Sequence, residues 1–192
     1  MFSSHKELLK SLDSSKLVGL VPTMGSLHRG HLSLVKRAVS ENEQVIVTIY
    51  VNPTQFNDIN DLKKYPRNLE SDIYKLRHYK NIFIYSPTDK DLYQEVVSKN
   101  YDLDNLDKIL EGKFRPGHFI GVATIVEKMF DIFNPDNAYF GEKDFQQLSI
   151  IKTMVKKLSI NVNIISCETI READGLAMSS RNKNMTKGER LT

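Results

Sequence analysis

Cysteine is almost missing from this chain of 192 residues, and tryptophan is missing altogether. The lone Cys167 excludes an internal disulfide framework and suits a reducing compartment. No stretch approaches the ~18 consecutive apolar residues that span a bilayer. The polar opening Met-Phe-Ser-Ser-His-Lys is not followed by the apolar region of a signal peptide. No run of five or more Lys/Arg occurs, and 27 basic against 24 acidic residues leave a net charge of only +3. That excludes the concentrated positive charge of a nucleic-acid partner. Internal repeats, low-complexity segments and Gly/Ser linkers are absent too. What is present is ordinary: 40% hydrophobic and 27% charged residues, in a length that buries roughly 70% of the unfolded surface. The expectation is a cytoplasmic protein with neither a membrane nor a nucleic-acid partner.

The hydrophobic period alternates along the chain. Leu17 to Val21 is a short apolar run halted by Pro22, which reads as a buried strand. Leu32, Leu34, Val35, Ala38 and Val39 then recur at helical spacing. Gln44 to Val51 is β-branched and nearly all apolar, the pattern of a strand covered on both faces. A helical stretch from Leu69 to Tyr79 leads to a strand at Asn81–Tyr85. Val122, Ile125, Val126, Met129, Phe130 and Phe133 form a helical stripe that ends at Asn134-Pro135. Asn137–Phe140, Asp144–Leu158 and Asn161–Cys167 read as strand, helix and strand. Strands alternating with helices predict α/β: a doubly wound, Rossmann-like parallel sheet with helices on both faces. Ligands of such sheets sit beyond the carboxyl ends of the strands. The chemistry is therefore expected just after Val21, Val51, Phe140 and Cys167.

Polar loops stand at those places. Pro22-Thr23-Met24-Gly25-Ser26-Leu27-His28-Arg29-Gly30-His31 opens a helix whose free N–H groups attract phosphate. Two glycines separated by four residues resemble a Walker A loop, but His31-Leu32 replaces the required Lys-Ser/Thr, so that reading fails. His28 and His31 lie on one helical turn and can donate hydrogen bonds to phosphate. The plain alternative is that His28 caps the helix and His31 packs; zinc on the pair is a weaker one. Asn52-Pro53-Thr54-Gln55-Phe56-Asn57 is either a polar turn or a rim that offers Gln55 to a small polar substrate. Arg115, in Arg115-Pro116-Gly117-His118-Phe119, reads by itself as an ordinary solvated charge. In Gly141-Glu142-Lys143-Asp144-Phe145-Gln146-Gln147, Asp144 and Gln147 fit a helix cap. Lys143 opposes the helix dipole, and a bound polyphosphate resolves that conflict. Arg171 to Asn182 is a surface loop or a clamp in which Ser179, Ser180 and Arg181 grip phosphate. Together these loops supply cations and helix N-termini without a Ser-His-Asp or Cys-His nucleophile set. That suits electrostatic stabilisation of a phosphorus centre.

PTMGSLHRGH, NPTQF, LEGKFRPGHFIGV, GEKDFQQ and READGLAMSSRN, in that order, closely resemble the pantoate–β-alanine ligase family, within the wider HxGH nucleotidyltransferases. The resemblance runs from Val21 to about Met185. It implies ATP-dependent condensation of pantoate with β-alanine through a pantoyl adenylate, with Mg2+ on the phosphates and a homodimer as the assembly. Position by position it implies that Met24, Gly25, Ser26, Leu27, His28, Arg29, Gly30 and His31 hold ATP. His31, His28, Lys143 and Arg181 are then the catalytic set. Gly141, Glu142, Lys143 and Asp144 contact the nucleotide, Ile170 lines the adenine side, and Met178, Ser179, Ser180 and Arg181 close over the phosphates. Gln55 and Gln147 bind pantoate, and Gln55 also faces β-alanine. Asp72 is placed near the metal or the amine, with Arg115 and Tyr65 as further candidates.

Phe145 stands where the family commonly has Tyr, and Ile170 where Val is usual. The family continues into a smaller C-terminal lid domain. Residues 1–185 are thus expected to form the ATP- and pantoate-binding domain and residues 186–192 the start of a lid that is otherwise absent. A lidless chain is expected to turn over poorly. Another HxGH nucleotidyltransferase, or a module that binds nucleotide without turnover, are the alternative readings.

Overall fold

The computed structural model describes residues 1–93, 99–186 and 188–190. The elements follow one another as α1 (His5–Ser11), β1 (Val18–Thr23), α2 (Arg29–Glu41), β2 (Gln44–Ile49), α3 (Ile59–Lys64) and α4 (Leu69–Leu76). Then come β3 (Ile82–Tyr85), α5 (Asp89–Tyr93), α6 (Leu110–Phe114), α7 (His118–Phe133), β4 (Asn137–Gly141), α8 (Phe145–Lys157) and β5 (Asn163–Cys167). The strands form one parallel sheet in the order β3-β2-β1-β4-β5. The chain reverses direction across the sheet between β1 and β4, as a doubly wound fold requires.

Every strand predicted from the apolar runs is present, with its ends slightly shifted. Pro22 departs from expectation: it lies inside β1 and does not stop it. Beyond Leu20 and its partner Ala138, β1 leaves β4 and pairs only with β2, through Thr23 and Ile49. Proline is tolerated there because one side of the strand has no ladder to lose. The short helices α1, α3, α5 and α6 span five to seven residues, too few for a period to show.

Side chains alternate between two cores. Leu20, Ile46, Tyr85, Ala138 and Phe140 face α7 and α8. Val21, Val45, Val47, Ile84 and Tyr139 face α2 and α4. Most are wholly shielded from solvent, and each buried aliphatic side chain stabilises by about 1.5–3 kcal/mol. Among the described residues no helix is long and apolar enough to cross a membrane. Of the expected segment 186–192, residues 187, 191 and 192 lie outside the described residues. Arg190 turns back to pair with Glu172 and Asp174, at 2.9 and 2.8 Å.

Candidate active site

A cavity of about 680 Å3 opens at the carboxyl edge of the sheet, beside the reversal point. Each segment expected to carry chemistry contributes to its wall: Met24 after β1, Asn52 after β2, Lys143 after β4 and Ile170 after β5.

One wall is built by the entry to α2. His28 is its N-cap; the ring Nδ1 accepts the Gly30 N–H at 3.1 Å, and His31 Nδ1 accepts the His28 N–H at 3.3 Å. A backbone N–H only donates, so each Nδ1 is an acceptor and each neutral ring carries its proton on Nε2. The rings stack with centroids 4.0 Å apart. Burial, then the neighbouring His28 ring and the charges of Lys143 and Lys75, pushes the His31 pKa down to about 3. His31 is therefore a neutral hydrogen-bond donor at physiological pH rather than a cation. His28 thus serves as a cap through Nδ1 and lines the cavity as well.

The turn before α2 is strained: Gly25 has φ 80° and Ser26 has φ 49°. Asp72, on α4 and 1% exposed, holds it from below. Its two oxygens accept the N–H groups of Ser26 and Leu27, each at 2.7 Å. Lys75, one turn further along α4, donates to the Leu27 carbonyl at 2.8 Å. The Asp72 carboxylate thus satisfies two buried N–H donors, and it lies outside the lining of the main cavity.

The opposite wall is the turn after β2. Asn52 donates to the Gly121 carbonyl at 3.1 Å and to the Gln55 side chain at 3.3 Å. Gln55 is buried and its amide reaches the Met24 sulfur. The close approach depends on Gly121, where an added Cβ would stand 2.6 Å from the Thr54 carbonyl. The Gln55 carbonyl accepts from His118 Nδ1 at 2.6 Å and from the Arg115 guanidinium at 3.4 Å. Arg115 also pairs with Glu111.

Lys143, Asp144, Gln147 and Ser179–Arg181 close the remaining sides. Lys143 pairs with Asp144 at 3.0 Å. Asp144 makes no side-chain cap to α8, so the cap reading of Asp144 with Gln147 is not observed. Met178 donates its N–H to the Ile170 carbonyl at 2.9 Å, which brings those two side by side at the rim. Arg181 makes a two-point ion pair with Asp61 at 2.8 and 3.1 Å, and lies 5.3 Å from the centre of the Tyr65 ring.

The sequence profile of the pantoate-beta-alanine ligases matches residues 1–192, the whole chain. The chain belongs to the pantoate-beta-alanine ligase family. The pantothenate synthetase of Flavobacterium psychrophilum is 55% identical over 181 residues, 93% of this chain and 64% of that protein. That of Phocaeicola vulgatus is 53% identical over 190 residues, 96% of this chain and 67% of that one. The chain thus spans about two thirds of the curated relatives it matches. Among solved structures, the pantoate-beta-alanine ligase of Francisella tularensis, complexed with beta-gamma ATP and beta-alanine, superposes with a TM-score of 0.90. It is 46% identical, over 97% of this chain and 73% of that one. The pantothenate synthetase of Thermus thermophilus has a TM-score of 0.91 at 42% identity, over 99% of this chain and 69% of that one.

Of the residues matched to the family's motifs, Met24, His28, Gly30, His31, Gln55, Gly141, Lys143, Asp144, Gln147, Ile170 and Met178–Arg181 converge on the cavity, with Tyr65 and Arg115. Five do not line it. Gly25, Ser26 and Leu27 shape the turn from beneath, Arg29 points to solvent, and Glu142 is exposed. Lys75 and His118 have no role that the sequence assigns. Lys75 is legible there only as an i, i+3 partner of Asp72, and His118 only as a member of its motif. Among the described residues no group of three or more His, Cys, Asp or Glu side chains is placed to hold a metal ion. With Asp72 committed to amide donors, these residues do not fit a resident metal.

Proposed function

We propose that residues 1–185 bind ATP and pantoate in this cavity and join pantoate to β-alanine through a pantoyl adenylate. The observation that carries this reading is the convergence of two neutral Nε2–H donors, Lys143 and Ser179–Arg181 on one side with two glutamines, Gln55 and Gln147, on the other. The cationic side suits a triphosphate. Amide side chains suit a neutral hydroxy-acid backbone better than a second phosphate. In the first step the pantoate carboxylate attacks the α-phosphorus and pyrophosphate leaves. His28, His31 and Lys143 stabilise charge on the phosphate oxygens, and none needs to change protonation. In the second step the β-alanine amine attacks the acyl carbon and AMP leaves. No enzyme nucleophile is required, in keeping with a Cys167 thiol that is buried and pushed up by burial.

The test is pyrophosphate release from magnesium-ATP with and without pantoate, before β-alanine is added. Release that depends on pantoate and disappears in His31→Ala supports the reading. Release that ignores pantoate overturns it in favour of another nucleotidyltransferase. The same reading extends to a cytoplasmic homodimer, which light scattering of the purified chain tests.

A further inference from the structure

His118 stands apart from the other two cavity histidines in its tautomer. It is the first residue of α7, entered through Gly117 at φ 80°, and it is 7% exposed. Its Nδ1 lies 2.6 Å from the Gln55 carbonyl, which can only accept. The proton therefore sits on Nδ1, and the neutral ring presents a lone pair at Nε2. Burial keeps the ring neutral by holding its pKa below the ordinary value. His28 and His31 have the reverse arrangement, with Nδ1 accepting and Nε2–H donating. One cavity thus holds two histidine donors beside the cationic loops and one histidine acceptor beneath Gln55. The remaining charged groups that act on His118 are Arg115, Glu111 and Arg181, and neither guanidinium can take a proton.

Resting on the ligase reading above, the geometry points to His118 as the general base of the second step, accepting the proton of the β-alanine nitrogen at Nε2. The amine lone pair forms the C–N bond while the carbonyl π pair moves onto oxygen. The nitrogen, now cationic and strongly acidified, passes a proton to Nε2 of His118. The oxyanion re-forms the carbonyl, the C–O bond to the phosphate breaks, and AMP leaves with that electron pair. His118 then returns the proton to solvent. Its Nδ1–H stays on the Gln55 carbonyl throughout, so the same ring sets the position of the glutamine and the direction of its own lone pair.

Two measurements test the assignment. The first is a long-range 1H–15N correlation spectrum of the labelled, unsubstituted chain. It is expected to show His118 protonated at Nδ1 alone and His28 and His31 at Nε2 alone; His118 protonated at Nε2 overturns the proposal. The second uses His118→Asn, whose amide N–H occupies the place of Nδ1 and keeps the bond to Gln55 while removing the base. Pantoate-dependent pyrophosphate release is expected to stay within about threefold, and pantothenate formation to fall by about 10²–10⁴-fold. Hydroxylamine, unprotonated near neutral pH, is expected to trap the acyl adenylate equally well in variant and parent. Equal losses with both acceptors overturn the base assignment and leave a positioning role. Failure of the ligase reading shows elsewhere: the unsubstituted chain then releases no pyrophosphate in response to pantoate.

Discussion

The hydroxyl of Ser180 donates to the backbone carbonyl of Ser26 at 3.1 Å and so joins segments 154 residues apart. Ser26 sits in the strained turn before α2, and Ser180 opens the 3-10 turn Ser180–Asn184. Both are buried. Ser180 is therefore tied to the loop that carries His28 and His31.

Arg181 extends beyond that anchor and is held by Asp61 on α3. Both partners are nearly half exposed, with side-chain exposures of 48% and 42%, so the pair contributes at most about 1 kcal/mol to stability. Asp61→Asn is expected to leave the melting temperature unchanged and to tighten ATP binding severalfold at low salt. Titration calorimetry at two ionic strengths checks this; unchanged affinity at both would separate Arg181 from the phosphates.

Asp72→Asn leaves one of the Ser26 and Leu27 N–H groups without an acceptor in a buried place. The expected cost is about 1–3 kcal/mol, which lowers the melting temperature by about 2–4 °C per kcal/mol. The drop is expected to be the same with and without magnesium. A loss seen only in the presence of magnesium would assign Asp72 a metal role.

Gly121→Ala drives a methyl group against the Thr54 carbonyl at 2.6 Å and the Gln55 N at 2.9 Å. Overpacking of this kind costs about 1–3 kcal/mol. Since α7 must then move off the Gln55 turn, pantoate affinity is expected to fall further than ATP affinity. Separate binding titrations with the two ligands check the difference.

His31 is pushed down to about 3 in the folded state from an ordinary 6.5. Below pH 6.5 the unfolded chain takes up a proton that the native ring refuses. The stability is thus complete above about 6.5 and is lost as pH falls toward 3, at no more than about 1.4 kcal/mol per pH unit. His31→Asn is expected to flatten that decline, measured by urea unfolding at pH 7.5, 6 and 5. An equally steep decline in the variant would assign it to other groups.

Much of this molecule is written in the sequence. β-Branched runs such as Gln44–Ile49 specify buried parallel strands because alternate side chains must be covered on both faces. The stripe from Val122 to Phe133 specifies a helix whose Asn134-Pro135 end cannot propagate. Alternation of the two specifies the doubly wound sheet, and the sheet specifies the edge at which polar loops meet. The five ordered motifs carried the family. Tertiary structure decided the rest, because it turns on contacts between residues far apart in the chain. Only the fold sets Asp72 against two amides 45 and 46 residues away, and so makes it a brace for the turn. Only the fold places a carbonyl against His118 and N–H groups against His28 and His31. A histidine's letter is the same in all three places; the backbone group facing its Nδ1 determines whether it gives a proton or takes one.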